Sequence, residues 1–116
     1  MKQINIVQAY NDLKQLANVE GYQEKEQWKL YQLRKKLKPH IDFQQERERI
    51  IYDKYREYAD QDGMIKGQKY IDLMQEKEDL NNMEIDLSVE KISLPLVKGI
   101  NFITIEALED FIDFTL

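Results

Sequence analysis

Residues 33–49, LRKKLKPHIDFQQERER, decide how the chain is read. Leu33, Leu37 and Ile41 are spaced at four, so they share one face of a helix. Pro39 interrupts that segment. It removes a backbone donor and disfavours helical angles at Lys38. Two readings follow: a long kinked helix that runs on, or a clean break at Pro39. The break would make Lys38 the N-cap, and lysine is a poor cap. The sequence therefore favours one kinked helix from about Gln23 to Tyr58. Leu30 begins its apolar stripe, and Ile51, Tyr55 and Tyr58 continue it beyond the polar stretch QQERER at 44–49.

On the N-terminal side, INIVQAYNDLKQLAN at 4–18 places Ile6, Ala9, Tyr10, Leu13, Leu16 and Ala17 on one helical face. Asn18 and Gly21 supply the stop. This helix is expected to lie antiparallel to the long one. Leu13 and Leu16 would meet Leu33 and Leu37, and the far half of the long helix would project beyond. On the C-terminal side, a shorter helix is expected at 69–81, with Tyr70, Leu73, Met74 and Leu80 inward. From Met83 the period changes to two. Ile85, Leu87 and Val89 alternate with acids and Ser88, predicting a half-buried strand at 84–90. SLPLVKGINF at 93–102 reads as an irregular connection. Thr104 would cap a last helix at 105–114, with Ile105, Leu108, Phe111 and Ile112 inward and covering the strand. The fold class is mainly α with a small β element: a long antiparallel helical hairpin, short strand segments and a C-terminal helix, in one domain over 1–116.

The stretch DQDGMIKG at 60–67 raises the question of calcium. With Gly63 at the sixth position of an EF-hand loop, Asp60 and Asp62 fall at the third and fifth. The first position is then Tyr58 and the twelfth Lys69, where an acid is required. Asp-Gly is also strong turn chemistry, and the stretch reads as a turn between helices.

Other chemistry is thin. With no Cys there is no disulfide or thiolate site. His40 is the single histidine and lacks a Glu-x-x-His partner set, and no glycine-rich phosphate loop exists. Glu106, Glu109, Asp110 and Asp113 would share one face of the last helix, with Glu76 and Asp79 as a second pair. That spacing keeps an acidic metal-dependent nucleotide hydrolase as the alternative function, although the acids fall opposite the apolar face, where water would be. No catalytic, cofactor-binding or metal residue is assigned.

Charge divides along the chain. Residues 1–40 hold 8 basic and 4 acidic side chains, and residues 41–116 hold 9 basic and 18 acidic. RKKLK at 34–38 offers the one basic segment, which makes a nucleic-acid binder the second alternative. Trp28, Tyr31, Tyr52, Tyr55 and Tyr58 at helical spacing read as core or helix-to-helix contact rather than as a stacking surface. No apolar run approaches the length of a membrane span, and no signal-peptide core opens the chain, so an intracellular, soluble protein is expected.

The order IVQAYNDLKQLAN, LRKKLKP, YREYADQDGMIKGQKY, MEIDLSVEKISL and ITIEALEDFIDF resembles a family of small uncharacterised proteins encoded by phages and prophages of Gram-positive bacteria. The resemblance spans nearly the whole chain. It implies a role in assembly, virion structure or host interaction, with phage or host protein partners and no catalytic residues to transfer. The leading expectation is thus a non-enzymatic phage interaction or assembly protein, with coiled-coil-like helices, virion association and self-association. Its expected interface residues are Ile85, Leu87, Val89, Ile51, Tyr55 and Tyr58. A lone strand at 85–89 would leave an unpaired edge that a second copy, GMIKG or INFIT could fill.

Overall fold

In the computed structural model, which describes residues 1–116, the helix passes through Pro39 without a break. We call this helix α2 (Glu24–Tyr55); α1 is Gln3–Leu16 and α3 is Gln68–Asn81. At 32 residues, α2 is about 48 Å long. It sets the long axis of a molecule measuring 53 × 30 × 22 Å. A short 3-10 turn, Arg56–Tyr58, closes it.

The apolar stripe explains both neighbours of α2. Leu30, Leu33 and Leu37 are buried with Ile6, Ala9, Leu13 and Leu16 of α1 in one cluster. The two helices run antiparallel. Gln3 Nε2 donates to the His40 carbonyl at 2.7 Å near one end, and Gln27 Nε2 donates to the Ala17 carbonyl at 2.9 Å near the other. Beyond α1, the far half of α2 does not project alone. Ile51 and Tyr55 bury against Leu73 and Leu80 of α3 in a second cluster of four. Gln44 Nε2 reaches Asn81 Oδ1 at 2.9 Å, and Lys54 pairs with Glu76. Helix α3 therefore runs back along α2, and the two form an arm.

The turn at the arm's tip is built by Asp60. Its Oδ1 accepts from the backbone N–H groups of Asp62 and Met64, both at 2.9 Å, and its Oδ2 lies 3.2 Å from Lys66 Nζ. Gly63 and Gly67 have φ of 77° and 68°, a left-handed backbone that glycine adopts without steric cost. The reading of 60–67 as a turn is thus the observed one.

Three sequence expectations fail in the C-terminal third. The segment 84–90 is extended, and its side chains alternate between half-buried and exposed as expected, but it belongs to no sheet. Its backbone bonds go to the N-terminus instead. Ile85 N–H donates to the Met1 carbonyl at 2.8 Å, the Met1 amine donates to the Ile85 carbonyl at 3.1 Å, and Lys2 bridges Glu84. The sheet forms later, in the stretch expected to be irregular. Strand β1 (Ile92–Pro95) pairs in parallel with β2 (Ile112–Thr115), Leu94 standing opposite Phe114.

The expected helix at 105–114 is replaced by a six-residue helix α4 (Phe102–Ala107), a turn, and β2. Asn101, not Thr104, is the cap; its side chain accepts from Thr104 N–H at 2.8 Å. A parallel pair needs a crossover connection, and α4 lies within the one joining β1 to β2. Leu94, Leu108, Phe111 and Ile112 close the main core from the side of α1 and α2.

Candidate interaction surfaces

The interface residues expected from sequence divide three ways. Ile85, Leu87 and Val89 are half-buried and pack against the main core of their own chain. Segment 84–90 forms no strand that could offer a self-pairing edge, and Met1 and Lys2 take its backbone bonds at Glu84 and Ile85. Neither GMIKG nor INFIT pairs with it. Ile51 and Tyr55 are buried beneath α3. Tyr58 alone stays open, 45% exposed, with Lys69 Nζ 4.4 Å from its ring centre.

The arm presents apolar surface that the sequence reading placed inside. Tyr70 and Met74 were expected to face inward, but they are 49% and 41% exposed, and Ile71 beside them is 58% exposed. Phe43 and Ile50 of α2 are open too. The spacing held the signal for Ile71, which stands two residues from buried Leu73 and so about half a turn away. Polar ties hold the arm in register around this surface. Lys77 Nζ donates to the Tyr52 hydroxyl at 2.6 Å. The Lys54 ammonium, and then the Tyr55 hydroxyl, hold the Glu76 carboxyl below its ordinary range. In return, Glu76 pushes the Tyr55 phenol up to about 12.

A second surface lies on the outward side of α2 near its start. Trp28 and Tyr31 are 57% and 45% exposed, so they are not core as the sequence reading held. Their rings stack with centres 5.5 Å apart and planes 26° from parallel. Trp28 stands two residues from buried Leu30, which places it opposite the leucine stripe. Helical phase therefore gave its position.

The acids proposed for metal chemistry are scattered. Glu106 is on α4, Glu109 and Asp110 are in the turn after it, and Asp113 is on β2, where Lys91 lies 3.6 Å away. Glu76 is engaged by Lys54 on the arm, and Asp79 accepts from Gln75. No three His, Asp or Glu side chains come together as a metal-binding group. The premise of one acidic helical face falls with the helix that was to carry it. In the 60–67 turn, the carboxyl of Asp60 is occupied by backbone N–H groups, Met64 first, which with Lys66 depress its pKa. His40 is half-buried and contributes its backbone carbonyl to Gln3. No helix is long and apolar enough to cross a membrane.

No family model, curated protein or solved structure matches the chain.

Proposed function

We propose that this chain is a non-enzymatic interaction protein, phage-encoded and acting in assembly, virion structure or host contact, and that its working surface is the α2–α3 arm. What supports the reading is the arm's uncovered apolar flank, Tyr70, Ile71 and Met74. Isolated exposed apolar residues are ordinary, but a contiguous strip on a projecting element marks a contact surface.

The surface area supports a second copy as its occupant. The chain exposes 8163 Å², about 1,500 Å² more than a compact monomer of its mass would show. A standard interface removes roughly 800 Å² from each partner, so the excess is enough for one. The radius of gyration, 17.8 Å, likewise exceeds the roughly 13 Å of a compact chain of this length. Phage origin rests on the order of sequence motifs, and residence in the host cytoplasm with virion association belongs to the same reading.

Light scattering on the purified chain tests the occupant. Wild type is expected at twice the chain mass, and Ile71→Glu with Met74→Glu at 14.0 kDa. A wild-type monomer at high micromolar concentration would remove the second copy. Magnesium-dependent phosphate release from a nucleotide panel, abolished by Glu109→Gln, would overturn the non-enzymatic reading itself.

A further inference from the structure

The stacked pair on α2 lies beside three cations that no acid pairs. Arg34, Lys35 and Lys36 make no ion pair, although the chain carries 22 acids; Lys38 alone in this segment is paired, with Asp42. Arg34 Nη1 is buried and has no hydrogen-bond partner. Three adjoining hollows meet at Tyr31. One is lined by Trp28 and Arg34 with one acid, Glu24, at its edge, one by Tyr10, Arg34, Lys35 and Lys38, and one by Trp28, Lys35 and Lys36. The face thus joins two near-parallel aromatic planes to cations on both sides.

We propose that this face, Trp28, Tyr31, Arg34, Lys35 and Lys36, binds single-stranded nucleic acid. Bases stack on the outer faces of the two rings, and the cations take the phosphates. A duplex cannot use the rings, because its bases are already stacked on one another. An acidic peptide would use the cations and leave the ring planes idle, so the aromatic pair favours a strand. The chain's net charge of −5 does not forbid this. Screening confines exposed charges to about 8 Å at physiological salt, and residues 1–40 carry the basic excess. Aromatic stacking with a cationic track is the general mode of sequence-tolerant single-strand binding. The site is separate from the α2–α3 arm and stands whether or not the arm binds a second copy.

Trp28 is the single tryptophan, so its fluorescence reports directly on the site. The probes are an oligothymidylate, an abasic strand with the same number of phosphates, the matching duplex and polyglutamate. Oligothymidylate is expected to quench Trp28, with affinity falling as salt rises by a logarithmic slope of about −2, the value for roughly three phosphate contacts. By anisotropy of a labelled strand, Trp28→Ala and Tyr31→Ala should each weaken binding about fivefold or more. Lys35→Glu should weaken it as well. These side chains are exposed, so the unfolding midpoint of each variant should stay at the wild-type value, which separates lost binding from lost folding. The proposal is overturned by an absence of quenching and anisotropy change at tens of micromolar strand. It is equally overturned if the abasic strand, the duplex or polyglutamate binds as well as oligothymidylate, since charge alone would then account for the site.

Discussion

Leu37→Ala probes the packing on which the fold depends. Leu37 is fully buried, and it lies in the cluster where α1, α2 and the C-terminal segment meet. Truncation removes three buried carbons and leaves a cavity walled by helices held at both ends, by Gln3 to His40 and by Gln27 to Ala17. Such a site collapses little, so the cost belongs in the range of about 2–5 kcal/mol. A chain of this length has a total stability of roughly 6–17 kcal/mol, so the variant should still fold. With a urea slope of about 1–3 kcal/mol per molar, the midpoint should fall by on the order of 1–3 M. Equilibrium urea unfolding, followed by far-ultraviolet circular dichroism, measures this. Trp28 is a poor probe because it is exposed in the native state. An unchanged midpoint would mean that Leu37 faces solvent, and the antiparallel seating of α1 on α2 would be wrong.

Three further outcomes are expected. Pro39→Ala should raise the urea midpoint, because alanine restores a helical donor in an exposed position; the gain is bounded by the helix-propensity difference of about 3 kcal/mol, and a lower midpoint would show that proline shapes the α1 contact. Acid should loosen the arm first: Glu76 and Asp60 have depressed pKa values, so their stabilisation is present above the unfolded-state values near 4 and is lost as pH falls through the folded ones. Amide exchange in α3 that stays unchanged from pH 6 to pH 3, relative to α1, would contradict this. Millimolar calcium should leave the melting temperature unaltered, since Tyr58 and Lys69 stand where an EF-hand needs acids; a rise on titration would overturn the turn assignment.

The helical part of the fold was legible because its signal is local. Leu30, Leu33, Leu37 and Ile41 specify a buried stripe whatever packs on it, and Lys38 is too poor a cap to support a break at Pro39. Segment 83–89 shows where local signal ends. Alternation fixes which side chains turn inward, and those side chains do so. A strand also needs a ladder partner, and Met1 and Lys2 pair with this segment only at Glu84 and Ile85 before α1 begins at Gln3. Segment 105–114 shows the reverse. Leu108, Phe111 and Ile112 fit a helical stripe and are all buried, but a turn and a strand bury them too. The competing pair is Ile92–Pro95, whose demand for a partner is non-local. The candidate surfaces were misread for a different reason. Aromatic and large apolar residues were assigned to the interior by type, whereas helical phase places Trp28 and Ile71 outside. That surplus of outward apolar residues is what suggests partners at all.

Peptide-resolved hydrogen exchange at low and high micromolar concentration tests the arm most directly. Association suppresses local opening of whatever it covers. Added protection at high concentration is expected in α3 around Tyr70–Met74 and in the facing part of α2. The C-terminal helix, where Phe102 and Ile103 are also exposed, should exchange alike at both concentrations. Protection that appears at Phe102–Ile103 and spares the arm would contradict the assignment of the arm as the working surface.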